Sequence, residues 1–268
     1  MRHTLAPRKR LGQHFLADDN IAKKIAASLE LSKKDIVVEI GAGEGALTQH
    51  LVGHAKKLYA VELDDRATAV LQEKFGDEIT LIHKDALTVS FEELATKEKQ
   101  KLRIAGNIPY NITSPLLFHA FESHQYIKDV TFMMQKEVAE RLTAKPRTKE
   151  YGILAVAAQF YSVPKILFNV SPKCFFPPPK VMSSVIHFDF RAAKTYTVDK
   201  KLFHIVLRAT FGKRRKILLN GLKDIIKDSG TLSAISAQFD TSRRAEELTV
   251  NDFVTLTNVI ASANSRTS

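Results

Sequence analysis

The sequence predicts an α/β domain, a parallel sheet wound with helices on both faces, followed by a small all-helical domain. Short β-branched runs end in glycine or an acid, helical periods fill the gaps between them, and strand candidates stop near residue 190. Strands alternating with helices favour parallel pairing, since each crossover helix returns the chain to the same edge of the sheet.

The elements follow in order. Residues 18–30, "DDNIAKKIAASLE", set Ile21, Ala22, Ile25 and Leu29 at helical spacing behind an Asp/Asn-rich N-cap region. "DIVVEIGAGEG" is a buried parallel strand running into a tight glycine turn. "ALTQHLVGHA" is helical, "KLYAVELD" a second strand, "RATAVLQEKF" a helix, "ITLIHKDA" a third strand and "LRIAGN" a fourth. Then "SPLLFHAFES" is a helix, "DVTFMMQK" a fifth strand, and "EVAERLTA" and "YGILAVAAQFY" are helices. "VPKILFNV" and "SSVIHFDF" are late strands on either side of "SPKCFFPPPKVM". From about residue 197, "VDKKLFHIVLRATFGKRRKILLNGLKDIIKDSG", "TLSAISAQFD" and "TVNDFVTLTNVIASA" are all helical in period. The boundary falls near "RAAKTYT". Residues 1–196 form the first domain, with a basic arm at 1–17, and residues 197–268 the helical one.

A formal charge of +11 and a pI near 9.6 point to a polyanionic partner. A lone cysteine, Cys174, excludes an intrachain disulfide and a cysteine-based zinc site, and suits a reducing cytoplasm. The basic N-terminus lacks the apolar core of a secretory signal, and no run reaches the ~18 apolar residues of a membrane span. A cytoplasmic, soluble monomer with no membrane partner is expected. The nine histidines show no metal-ligand spacing, so no metal site is expected.

Four strand ends carry the chemistry. Gly41, Gly43 and Gly45 in "EIGAGEG" let backbone approach a ligand closely. The third glycine comes one residue early for a dinucleotide turn, and no Walker lysine follows. Glu62 ends the second strand about 20 residues on, where an acid accepts ribose hydroxyls, and Asp85 ends the third. Either acid alone is as readily a helix N-cap. Together at one sheet edge they outline a nucleoside pocket, and an adenosine without a phosphate chain, such as S-adenosylmethionine, fits it best. The fourth strand ends in Asn107-Ile108-Pro109-Tyr110. An Asn oxygen and a backbone carbonyl in a proline-stiffened turn can accept the hydrogens of an adenine amine and orient its lone pair, and Tyr110 can stack on the base. An Asx-Pro turn with a half-buried tyrosine is the plainer alternative. A nicotinamide dehydrogenase would explain the glycines and Glu62 but not this turn.

"GQHFL", "EIGAGEG", "VELD", "KDAL", "NIPYNI", "FFPPPKVMSSV" and "FGKRRKIL", in order from about residue 8 to 260, resemble the rRNA adenine-N6 dimethyltransferases. "RATFGKRRKILLNGLK" and "RRAEELTVNDFVTLTN" are similar to the small-subunit (kasugamycin-sensitivity) group, rather than to the large-subunit group that confers macrolide resistance. The resemblance implies a Rossmann-like S-adenosylmethionine methyltransferase sheet. It also implies dimethylation of two adjacent adenosines near the 3′ end of small-subunit rRNA, and a role in small-subunit biogenesis. A ribosome-assembly factor for which methylation is secondary is the alternative from another class.

Carried over residue by residue, the resemblance implies that His14 and Leu16 line the methionine and adenosyl end of the cofactor with Gln13 beside them. Gly41, with Gly43 near it, meets the methionine moiety, Glu62 the ribose and Asp85 the adenine amine. Asn107 touches cofactor and target amine, Pro109 fixes the turn, and Tyr110 stacks on the target base. The motif F-x-P-x-P-x-V places a second stacking ring at Phe175 by register, ahead of its neighbour Phe176. His14 is read as binding cofactor or backbone ahead of serving as a base. Lys213, Arg214, Arg215 and Lys216, with Arg8, Lys9 and Arg10 near the N-terminus, are the candidate contacts to RNA phosphates.

Overall fold

The computed structural model of the protein describes residues 5–8 and 12–264. Its elements are, in chain order, β1 (Phe15–Leu16), α1 (Asp19–Ser28), β2 (Ile36–Ile40), α2 (Thr48–Leu51), β3 (Lys57–Glu62), α3 (Asp65–Phe75), β4 (Thr80–His83), α4 (Phe91–Glu98), β5 (Leu102–Asn107), α5 (Thr113–Glu122), β6 (Ile127–Gln135), α6 (Lys136–Leu142), α7 (Ile153–Tyr161), β7 (Val163–Val170), β8 (Phe175–Phe176) and β9 (Ser183–Asp189). Helices α8 (Lys200–Gly212), α9 (Leu218–Ile225), α10 (Ser229–Gln238) and α11 (Val250–Asn264) follow. Packing divides the chain into two units, residues 1–139 with 161–192, and residues 140–160 with 193–268. Residues 140–160, which the sequence places in the first domain, group with the helical unit.

In the first unit seven strands form one sheet in the order β4-β3-β2-β5-β6-β9-β7. The pairs β4–β3, β3–β2, β2–β5 and β5–β6 are parallel, as expected, while β9 is antiparallel to β6 and to β7. No helix of four or more residues lies between β7 and β9, so nothing carries the chain back for a parallel return. Strand β2, IVVEI, is buried at every position, the mark of a central strand covered on both faces. Strand order reverses at β2, which opens a crevice at the carboxyl ends of β2 and β5. Gly106 makes that edge possible. A Cβ there would lie 2.3 Å from the Ile40 carbonyl oxygen, so only glycine lets β5 approach β2 this closely.

At the amino ends of the strands, Arg103 of β5 bonds Asp129 of β6 at 2.9 Å and Asp35 at 3.1 Å, all three buried. Lys128 joins Asp35 at 3.1 Å. Burial opposes ionisation of Asp35, but bonds from Ser32, Lys128 and Arg103 win and hold its carboxyl down at about 2.

The second unit is built on aromatic contacts. Phe160 stacks on Phe203 with ring centres 4.3 Å apart and on Tyr196 at 5.2 Å, while Phe211 packs against Phe253 at 5.6 Å. Tyr151, fully buried, donates its hydroxyl to the Leu248 carbonyl at 2.7 Å. The continuous helical period expected over 198–230 is broken between α8 and α9, where Ile217 bridges to Arg244 and the Leu218 amide donates to the Arg243 carbonyl. No described helix is long and apolar enough to cross a membrane.

Candidate active site

A cavity of about 280 Å³ opens at the carboxyl edge of the sheet. Four of the five parallel strands, β2 to β5, contribute their carboxyl ends or the loops that follow. Gly41 and Gly43 come from the loop after β2, Glu62 from the end of β3, Lys84 and Asp85 from beyond β4, and Asn107 to Ile112 from the end of β5. Gln13, His14 and Phe15 of the N-terminal segment supply another wall.

The Glu62 carboxylate is fixed by backbone amides. Its Oε1 accepts from the amides of Leu63 at 2.8 Å and Asp64 at 2.9 Å, and its Oε2 from the Gly43 amide at 2.8 Å. Three backbone donors fix the carboxylate and leave acceptor capacity on Oε2. Gly41 and Gly43 sit at φ of +68° and +56°, in the left-handed region. Asp85 is an N-cap, its Oδ1 accepting from the Leu87 amide at 2.9 Å, and it is also exposed at the cavity wall.

At the end of β5 the Ile108 amide donates to the Met133 carbonyl at 3.0 Å, which ties the turn to β6. The Asn107 side chain donates Nδ2 to the His14 carbonyl at 3.0 Å, so its oxygen is the end left to accept. The Pro109 carbonyl takes the Ile112 amide and the Thr113 hydroxyl, each at 3.2 Å. Tyr110 is half-buried and hydrogen-bonded to the Ser183 hydroxyl at 2.9 Å, and burial raises its phenol above the ordinary value, so it stays protonated at neutral pH. Its ring lies 5.5 Å from that of His14, whose Nδ1 donates to the Pro177 carbonyl at 2.7 Å. That bond ties His14 to backbone.

A family model, ribosomal RNA adenine dimethylase, matches residues 5–262. The chain belongs to the ribosomal RNA adenine dimethylase family. Within the family it is similar to proteins named ribosomal RNA small subunit methyltransferase A. One from Clostridium botulinum strain Langeland is 42% identical, with 94% of this chain and 93% of that one covered. One from Coxiella burnetii strain Dugway is also 42% identical, with 94% and 97% covered. Among solved structures, a dimethyladenosine transferase from Plasmodium falciparum aligns with a TM-score of 0.80 at 26% identity, covering 94% of this chain and 98% of that one. The 23S rRNA methyltransferase ErmE shares the fold, with a TM-score of 0.66 at 22% identity over 92% and 99%.

Several residues carried over from the dimethylase motifs do not line the larger cavity or are engaged by other side chains. Leu16 is buried in the apolar core and lines a small adjoining cavity of about 30 Å³ instead of the larger one. Phe175 is also in that core, 4% exposed and paired with Leu16, because β1 and β8 form a two-stranded ladder absent from the sequence expectation. Its neighbour Phe176 is 47% exposed. Of the basic residues, Arg8 pairs with buried Asp64 at 3.3 Å. Lys213 pairs with Asp224 at 2.6 Å, and Arg214 with Glu246 at 2.9 Å and with the Thr148 and Lys149 carbonyls. Arg215 and Lys216 are exposed and make no side-chain bond or ion pair to a described residue. Lys9 and Arg10 lie outside the described residues.

Glu39, inside "EIGAGEG", lies against the site and is not singled out by the motif reading. It is 2% exposed and lines the smaller cavity with Gly41 and Asn107. Burial, reinforced by the charge of Glu62, pushes its carboxyl up to about 8 against the bond donated by the Thr48 hydroxyl at 2.7 Å. A glutamate within a β-branched run that the pattern buries on both faces was the available signal.

Proposed function

We propose that the larger cavity binds S-adenosylmethionine and that the chain dimethylates N6 of two adjacent adenosines near the 3′ end of small-subunit rRNA. The family is one of ribosomal RNA adenine dimethylases, and the Clostridium botulinum and Coxiella burnetii relatives, each 42% identical, are named ribosomal RNA small subunit methyltransferase A. The observation that carries the reading is the Asn107–Tyr110 turn, placed at the same cavity as Gly41, Glu62 and Asp85. The donor set fits the cofactor. The Glu62 carboxylate, held by backbone amides, accepts ribose hydroxyls, Asp85 accepts from an adenine amine, and the Gly41 backbone meets the methionine end. When bound, the cofactor supplies an electrophilic methyl group on a sulfonium.

The protein's own task is to present the adenine. Its N6 lone pair is delocalised into the ring and makes a poor nucleophile. Asn107 Oδ1 accepts one N6 hydrogen. With the Pro109 carbonyl already engaged, the second acceptor is the Ile108 carbonyl, and the two turn the lone pair toward the methyl. No strong base is needed, because the nitrogen becomes acidic on alkylation and releases its proton to water. After the first transfer a single hydrogen remains, and Asn107 holds the orientation that still aims the lone pair. Tyr110 stacks on the unstacked base from within the cavity, and Phe176 supplies the exposed second ring in place of Phe175. Arg215 and Lys216 contact phosphates of the immature subunit, which the protein binds as a monomer.

Thermal unfolding tests the cofactor assignment. S-adenosylmethionine should raise the melting temperature and NAD should not, because only a ligand of the native state stabilises it. Protection by NAD alone would return the cavity to a dehydrogenase.

A further inference from the structure

Asp64 lies two residues beyond Glu62 and is 1% exposed. Bonds from Arg66 hold its carboxyl far below the usual range against the opposing effect of burial. Capping α3 would use the Arg66 amide alone, at 3.2 Å, and the ion pair would use the Arg66 guanidinium. Two more partners come from the N-terminal segment. Gln13 Nε2 donates to Asp64 Oδ2 at 3.0 Å and Arg8 pairs with Oδ1 at 3.3 Å, while Gln13 Oε1 accepts the Arg8 amide at 2.8 Å. The same segment is tied at Leu5, whose amide donates to Glu44 of the glycine loop at 2.9 Å, and at Ala6, whose carbonyl accepts from Arg66 at 3.1 Å. The Asp64 amide in turn donates to Glu62 Oε1 at 2.9 Å.

One residue therefore holds the Glu62 carboxylate with its backbone and Arg8 and Gln13 with its side chain. Gln13 and His14 line the cavity that Glu62 also lines. We propose that Asp64 is a positioning residue that couples the seating of the N-terminal segment to cofactor affinity. The inference rests on the reading that this cavity takes S-adenosylmethionine.

Full-length wild type, Asp64→Asn, Gln13→Ala, their double variant and Arg8→Ala/Gln13→Ala test it by calorimetric titration with S-adenosylmethionine and by turnover on small-subunit particles. Removal of a buried charge-assisted bond predicts about a tenfold rise in Kd and KM for Asp64→Asn with kcat within about twofold. The Asp64→Asn/Gln13→Ala double should be no weaker than Asp64→Asn alone, since both singles break one linkage. A folded Asp64→Asn with wild-type Kd, or single effects that multiply in the double, would overturn the proposal. If Asp64→Asn does not fold, an unchanged Kd in Arg8→Ala/Gln13→Ala overturns it and a raised one supports it. Failure of wild type itself to bind S-adenosylmethionine would refute the cofactor reading instead.

Discussion

The Asn107 side chain donates its amide to the His14 backbone carbonyl at 3.0 Å, so the residue at the end of β5 is oriented by a segment 93 positions earlier in the chain. With the nitrogen committed, the oxygen becomes the acceptor for a planar amine. Asn107→Ala should lower kcat by about 10²-fold to 10³-fold, the range for removing one preorganised polar group, while cofactor Kd changes far less. Asn107→Asp keeps an acceptor but sets it against the His14 carbonyl, and should fail in orientation as well. Single-turnover methylation with a bound-cofactor control checks both, and near-normal turnover in Asn107→Ala removes the assigned role.

The two adjacent phenylalanines should separate cleanly. Phe175→Ala empties a core position and should cost about 3–5 kcal/mol of stability in denaturant unfolding. Phe176→Ala removes an exposed ring and should leave stability within about 0.5 kcal/mol. Its expected cost is a higher KM for RNA, by about 1–3 kcal/mol for one base deprived of its stacking ring. The opposite assignment of effects would restore Phe175 as the stacking ring.

Motif register alone pointed to Phe175, because the pairing of Phe175 with Leu16 joins residues 159 positions apart, which no local pattern records. By contrast, Gly41, Gly43, Glu62, Asp85 and Asn107 stood out in the sequence because each lies at or just past the end of an apolar run, at the carboxyl edge of a parallel sheet. Helix α4 carried little signal: "FEELATKE" is half charged, and Ser90 starts it by accepting from the Glu93 amide. Charge runs were legible but their partners were not. Asp64, Asp224 and Glu246 neutralise Arg8, Lys213 and Arg214 from distant or differently folded segments.

That difference sets expectations for the basic cluster. Arg215→Ala/Lys216→Ala should weaken RNA binding and reduce the slope of log K against log salt by about 1 for each phosphate no longer neutralised. Arg214→Ala should act chiefly on the stability of the helical unit, since its guanidinium joins the 148–149 backbone to Glu246. Binding measured across a salt series, beside thermal unfolding, distinguishes the pairs. Equal salt slopes for wild type and the Arg215/Lys216 variant would exclude these two residues from the RNA surface.

Glu39 gives the fold a pH dependence. Its carboxyl is raised from 4.5 to about 8, so below 4.5 the folded and unfolded chains are both protonated and its contribution is fully present. As pH rises toward about 8 only the folded protein keeps the proton, and stability falls by on the order of 1 kcal/mol per pH unit until the folded group ionises. Glu39→Gln removes that proton exchange and retains a partner for Thr48. Its stability relative to wild type should therefore rise between pH 5 and about 8, read as urea midpoints at each pH. Parallel pH profiles would show that Glu39 is already ionised at neutral pH.

Transfer of labelled methyl groups from S-adenosylmethionine to small-subunit particles that lack the modification, followed by mapping of the modified bases, tests the central claim most directly. The expected result is label on N6 of two adjacent adenosines near the 3′ end, approaching four methyl groups per RNA with wild type and almost none with Asn107→Ala. Label confined to large-subunit rRNA, or equal label with the Asn107 variant, would contradict it.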